Sequence, residues 1–125
     1  MDTQNTFRGG YHMAVVHYES DLDIQFMGRH PGTLIADIDW DENGYGPLSG
    51  EATLKMLKTF RYPYMDTSHA TRDPDGSIHA KADLPSLFGN GSAIHATIEV
   101  DPEGNIVGEI PLLKGIVLKF TGKLK

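Results

Sequence analysis

Three side chains in the second half of the chain, His79, His95 and Glu109, are of the types that general acid–base catalysis uses. All three occupy odd-numbered positions in segments whose even-numbered positions are apolar, so on β-strands they would share one face. Two imidazoles and a carboxylate on one face can act as a general base with the group that orients it, and imidazoles also bind zinc. The alternative is an ordinary solvated sheet face, where His, Thr, Lys and Glu are expected.

A second group of candidate ligands lies in residues 39–44 (DWDENG), which match the first half of an EF-hand calcium loop. Asp39, Asp41 and Asn43 would offer oxygen atoms at alternate positions. The twelfth position of such a loop should be a glutamate, but here it is Gly50, which has no side chain to offer. We therefore favour an acidic hairpin loop whose polar residues serve turn geometry, and we predict neither a metal nor a cofactor.

The segments that would position these groups alternate between apolar and polar residues. From Ser77 to Lys125 the even-numbered positions are mostly apolar, and the odd-numbered positions are mostly His, Lys, Asp, Thr and Glu. This period of two is typical of antiparallel strands with one face on a core and the other in water. Similar runs occur earlier in the chain, which gives about eight strands with short connections. This pattern predicts a single-domain antiparallel β-barrel or strongly curved sheet over residues 10–125. Residues 1–9 are predicted to be a flexible arm.

Two nearly identical turns, at residues 73–77 (DPDGS) and 101–105 (DPEGN), predict the register of their hairpins. Proline at the second position favours a type I turn, and glycine at the fourth accepts a left-handed conformation. Ala70 should therefore face Ala80, and Ile98 should face Gly108. If the connection at residues 84–92 keeps this parity, His95 should lie near Lys81, and Thr97 near His79.

Two stretches are harder to interpret. Residues 41–50 (DENGYGPLSG) have the composition of a long irregular loop. Residues 51–62 are ambiguous, because EATLKMLK contains strong helix formers whereas the apolar residues from Ala52 to Tyr64 recur mainly at every second position. We favour a strand there, with one short helix as the alternative.

The apolar face of a closed barrel would line an interior near the size at which side chains fill the space or leave one small-ligand cavity. Lys58 also has the parity of an interior position, unless it snorkels out at a barrel mouth. Leu87 and Phe88, between a proline and glycines, could form a lid over an entrance or anchor their loop to the core. The candidate ligand-binding residues are Trp40, Met56, Phe60, Tyr62, Leu87, Phe88, Ile98 and Phe120.

Composition excludes several classes of function. The net charge of −6 argues against a nucleic-acid partner, and the absence of cysteine excludes disulfides and thiolate chemistry. No apolar run approaches the ~18 residues of a membrane-spanning helix. The polar N-terminus lacks the apolar core of a signal peptide. These features predict a cytoplasmic protein.

Three functional hypotheses follow. The first is a small soluble barrel that binds a hydrophobic small molecule in its apolar interior. The second is a histidine-dependent enzyme of the isomerase, cyclase or hydrolase type, which requires that His79, His95 and Glu109 line a concave site. The third is an assembly module that pairs through a sheet face or edge, for example as a homodimer, which a large exposed apolar patch would favour.

Overall fold

The computed structural model of the chain describes residues 14–86, 93–113 and 115–125, and every regular element in these ranges is a β-strand. These ranges hold no helix that could cross a membrane. The predicted arm at residues 1–9 and the candidate lid residues Leu87 and Phe88 lie outside them. The strands are β1 (Ala14–Gln25), β2 (Arg29–Trp40), β3 (Tyr45–Lys55), β4 (Thr59–Pro63), β5 (His69–Arg72), β6 (Ile78–Leu84), β7 (Ile94–Val100), β8 (Asn105–Leu113) and β9 (Ile116–Leu124).

Eight of these strands close into an antiparallel barrel, which confirms the predicted fold class. Each barrel strand pairs with its neighbours along the chain, except that β3 is followed in the barrel by β5, and β9 pairs with β1 to close the cylinder. β4 is an additional strand that pairs with β3. Closure gives each barrel strand a partner on both sides over part of its length, which suits a small all-β chain because exposed edges promote aggregation.

The two ends of the barrel carry different turns. At the end that we call upper, β1 joins β2 through residues 26–28, and β3 joins β4 through residues 56–58. At the lower end lie the turns at residues 41–44, 73–77 and 101–104. Antiparallel pairing around the whole barrel fixes this assignment.

β3 changes its neighbour on one side at Gly50. Its first residues pair with β5, whereas residues 51–55 pair with β4. Gly50 has a φ of 126°, and a Cβ atom there would overlap the carbonyl oxygen of Ile35, so only glycine fits. The carbonyl of Gly50 accepts a hydrogen bond of 3.0 Å from the backbone N–H of Tyr64, which returns the chain toward β5.

The two proline-containing turns adopt the predicted hairpins. The backbone N–H of Asp73 bonds to the carbonyl of Ser77 at 2.9 Å, and Gly76 has a φ of 97°. The equivalent turn at residues 101–105 has the same bonds, and Gly104 has a φ of 90°. Both predicted registers are confirmed, since Ala70 faces Ala80 and Ile98 faces Gly108.

Three expectations about other segments were wrong. Residues 41–50 are not a long loop, because β3 begins at Tyr45. Residues 51–62 form no helix, and they are a hairpin rather than one strand, since the chain reverses at residues 56–58. The register across the β6–β7 connection differs by two residues from the expectation, so His95 faces Asp83 and His79 faces Glu99.

The barrel interior is built from the even-numbered apolar residues. Met56 was expected inside but is 40% exposed, because it lies in the β3–β4 turn; Lys58 lies in the same turn and is exposed. The expected interior residues that are buried are Leu34, Ile38, Trp40, Leu54, Ile94, Ile98, Leu118 and Phe120.

Candidate functional site

An apolar cavity of about 40 Å³ lies in the upper half of the barrel. Its lining includes three of the predicted ligand-binding residues, Tyr62, Ile98 and Phe120, together with Leu22 and Leu84. A second apolar cavity of about 30 Å³ lies in the lower half, and Leu34 and Ile98 belong to both linings. The interior is therefore largely filled by side chains, and its unfilled volume is small beside the 300–1,000 Å³ of a typical drug-sized ligand site.

One residue of the upper cavity lining has a buried hydroxyl group that lacks a hydrogen-bond partner among the described residues. It belongs to Tyr64, which follows β4 and lines the cavity. Burial, aided by the charge of Glu51, raises the pKa of Tyr64, so this side chain is a neutral donor at ordinary pH. Buried polar groups are nearly always satisfied in folded proteins, so an unsatisfied hydroxyl beside an empty volume indicates a place for a polar atom.

β4, which contributes Tyr62 to the cavity lining, is paired with another strand along one edge only. Its ladder to β3 spans five residue pairs, from Glu51–Pro63 to Lys55–Thr59. The half-buried rings of Phe60 and Tyr62 stack with centroids 6.4 Å apart, and the Lys58 ammonium lies 5.2 Å from the Phe60 ring centre. A strand that is paired on one edge is the easiest part of a sheet to displace.

The lower end of the barrel is sealed by Trp40, which is therefore remote from the candidate site. Its indole N–H donates a hydrogen bond of 2.9 Å to the hydroxyl of Tyr18, and its ring is buried. The guanidinium of Arg72 lies 4.6 Å from the ring centre and covers it from outside. Of the other candidate ligand-binding residues, Phe60 packs against the core through β4 without lining the cavity.

The predicted catalytic residues lie on the outer wall of the barrel, and the structure does not bring them together. His79 and His95 are separated by four residues of register, which is about 13 Å along the strands. Glu109 faces Thr97 on one side and Lys119 on the other. None of the three lines either interior cavity.

Each of the two predicted histidines has its own carboxylate partners. His79 is held between Asp73, at 2.8 Å from its Nε2 atom, and Glu99, at its Nδ1 atom. Hydrogen bonds to Asp73 and then Glu99 raise the pKa of His79. The Nδ1 atom of His95 lies 2.6 Å from Asp83, whose own pKa is lowered first by the hydroxyl of Thr67 and then by His95.

A third histidine of this kind, His17, was not singled out from the sequence. Its Nδ1 atom lies 2.6 Å from Asp37 and its Nε2 atom 2.7 Å from Glu19, and these bonds raise its pKa in that order. Glu19 follows His17 by two residues, so the sequence did place both on one face of a strand. The contribution of Asp37 depends on the β1–β2 register, which no turn motif announces.

The acidic loop that resembles half of a calcium site uses its carboxylate for the turn. Asp41 accepts hydrogen bonds from the backbone N–H groups of Asn43, at 2.8 Å, and Tyr45, at 3.0 Å. This is the turn geometry that the sequence favoured. The described residues contain no group of three or more side chains arranged to bind a metal ion.

Comparisons with protein families, with curated proteins and with solved structures gave no significant match to this chain.

Proposed function

We propose that this barrel binds a small, mainly apolar molecule that carries one polar group in its upper cavity. The observation that supports this most directly is that Tyr64, which lines this apolar void, has a buried hydroxyl with no hydrogen-bond partner in the described part of the chain. An apolar void alone is common in folded proteins, and a single polar group within it is the feature that would orient a ligand.

The size of the cavity limits the ligand that can enter without a structural change. At about 40 Å³ it would hold only a few heavy atoms. A larger ligand requires β4 to move outward, carrying Tyr62 away from the lining. We propose this motion because β4 is outside the closed barrel and is bonded along one edge.

The enzyme hypothesis receives less support from the same geometry. It required a concave site around His79, His95 and Glu109, and these residues lie apart on the convex outer wall. A catalytic role for them stays a prediction. It would be tested by replacing His79 with glutamine and measuring turnover once a substrate is known.

The interior site can be tested with phenol and toluene, two probes that differ by the group on one aromatic ring. Both are larger than the cavity as it stands, so their binding also tests the proposed outward motion of β4. Binding would be followed by NMR shifts of the methyl groups of Ala82 and Ala96, which line the upper cavity. We expect phenol to bind more tightly than toluene, because only phenol can pair with the Tyr64 hydroxyl. The variant Tyr64→Phe should remove this preference.

A matched pair of substitutions checks the location. Ala96 lines the upper cavity and Ala80 lines the lower one, and both are buried on the inner face. Ala96→Val should abolish phenol binding, whereas Ala80→Val should leave it unchanged; Ala82→Val serves if Ala96→Val does not fold. Phenol binding that persists in a folded upper-cavity variant would contradict the proposal.

A further inference from the structure

Two turns at the upper end of the barrel present apolar side chains to solvent in the same way. In the β1–β2 turn the backbone N–H of Phe26 bonds to the carbonyl of Gly28 at 2.9 Å, and in the β3–β4 turn that of Met56 bonds to Lys58 at 3.0 Å. The middle residues of these turns, Met27 and Leu57, are 90% and 105% exposed. We call Phe26, Met27, Met56, Leu57, Ile116 and Val117 the apolar rim.

The fold gives no reason for apolar residues at these tips. Met27 adopts a φ of 51°, a left-handed conformation that glycine, asparagine or aspartate would accept more readily. The side chain of Leu57 is fully exposed to water, so it contributes no apolar burial to the folded protein. Met27 and Leu57 are unfavourable choices for the stability of two equivalent turns, which indicates that they serve an interaction outside the folded monomer.

The rim is continuous across neighbouring strands. Phe26 and Met27 share an open groove with Ile116 and Val117, at the start of β9. On the other side, Gly32 of β2 faces Leu54 of β3, so the β1–β2 and β3–β4 turns emerge side by side. Ile116 and Val117 are themselves exposed.

Charge is distributed unequally between the two ends of the barrel. Lys55 and Lys58 flank the Leu57 tip, and in the described part of the chain neither forms an ion pair; Arg29 beside the Met27 tip is paired with Asp23. The turns at the lower end are acidic, and they contain Asp41, Glu42, Asp73, Asp75, Asp101 and Glu103. A protein of net charge −6 with this asymmetry would approach an anionic surface by its upper end.

We propose that the apolar rim docks this protein on the surface of an anionic lipid bilayer. The exposed apolar tips would enter the boundary between headgroups and acyl chains, and Lys55 and Lys58 would contact anionic headgroups. A protein partner is disfavoured because the apolar residues project from separate turn tips with basic residues between them. The inference extends the proposed function, since Leu57 lies at the tip of the hairpin that covers the upper cavity, but docking itself does not require a ligand.

The test is cosedimentation of the full chain with vesicles of phosphatidylcholine, with and without phosphatidylserine. We expect binding only when phosphatidylserine is present. Met27→Ser combined with Leu57→Ser should weaken it by about tenfold or more, through loss of apolar burial. Lys55→Gln combined with Lys58→Gln should weaken it by a similar factor.

A matched control is available at the other end of the molecule. Val15 and Val107 are 64% and 58% exposed on the outer wall, and Val15→Ser with Val107→Ser should leave vesicle binding unchanged. Equal losses in the rim and control variants, or no wild-type binding to phosphatidylserine vesicles, would overturn the proposal. A dimer that the rim substitutions dissociate, without vesicle binding, would also overturn it in favour of a protein interface.

The two proposals fail separately. Ala96→Val should retain vesicle binding, because it fills the cavity without touching the rim. Loss of phenol binding in the rim variant, by contrast, would contradict the independence of the two sites. Vesicle binding without any phenol binding by the wild type would refute the interior site alone.

Discussion

The ring of Phe120 on β9 covers Gly108, its partner on β8, inside the barrel. A Cβ atom at Gly108 would overlap the end of that ring. The glycine therefore provides the space that lets a large aromatic side chain occupy the barrel interior. This pairing is one reason why the interior is mostly filled, with only a small cavity left beside Phe120.

The first prediction is that Gly108 and Phe120 are energetically coupled. Gly108→Ala should lower the free energy of unfolding by about 1–3 kcal/mol, because the added methyl group displaces a packed ring. In a Phe120→Leu background the same substitution should cost much less, since the shorter side chain leaves room. Urea unfolding of the four proteins in this double-mutant cycle measures the coupling. Additive effects would show that the ring does not oppose the methyl group.

The second prediction concerns the cavity itself. Phe120→Ala should lower the free energy of unfolding by about 3–5 kcal/mol and join the removed ring volume to the existing void. The folded variant should bind toluene more tightly than the wild type does, as NMR titration would measure. Ile106→Ala is a suitable control, because Ile106 is buried and lines the lower cavity. Equal gains in both variants would argue against a distinct upper site.

The third prediction is that the same substitution, tyrosine to phenylalanine, has opposite effects on the free energy of unfolding at Tyr64 and at Tyr18. Tyr64→Phe should raise the free energy of unfolding by about 1 kcal/mol, because it removes a buried hydroxyl without a partner in the described part of the chain. Tyr18→Phe should lower it by about 1–3 kcal/mol, because it leaves the buried indole N–H of Trp40 unpaired. Thermal or urea unfolding gives both values. Destabilisation by Tyr64→Phe would mean that its hydroxyl is already satisfied.

The parts of the fold that could be predicted are those with local chemical signals. The Asp-Pro and Gly positions of the turns at residues 73–77 and 101–105 fixed two registers, and alternation identified the inward face. A turn with ordinary residues gave no such signal. Residues 56–58 read Met-Leu-Lys; Leu57 and Lys58 break the alternation, but none of the three is a typical turn residue, so the β3–β4 hairpin was missed.

The candidate site was less accessible to sequence reasoning, because it depends on distant parts of the chain. Tyr62, Ile98 and Phe120 were identified by parity, which is a local property. The burial of the Tyr64 hydroxyl away from hydrogen-bond partners among the described residues depends on how the segment after β4 crosses from β3 toward β6. Similarly, the partner of His95 depends on a connection whose length shifts the register by two residues, and no residue type in it reports that shift.

The last prediction is a dependence of stability on pH that arises from His17 and His79. Each ring faces carboxylates with both nitrogen atoms, so both nitrogens donate hydrogen bonds only when the ring is protonated. Both pKa values are raised in the folded protein, so the folded state binds more protons than the unfolded state above the ordinary histidine pKa of about 6.5. Their stabilisation is fully present below that pH and is lost as the pH rises through the folded pKa values.

The free energy of unfolding should therefore fall as the pH rises above the ordinary histidine pKa of about 6.5, and urea titrations at a series of pH values would measure the decline. The carboxylates whose pKa values are lowered, Asp75, Asp83 and Asp101, stay ionised throughout this range and add no slope. His17→Gln with His79→Gln should flatten the profile. A profile that keeps its slope in the double variant would show that these two clusters do not hold their protons in the folded state.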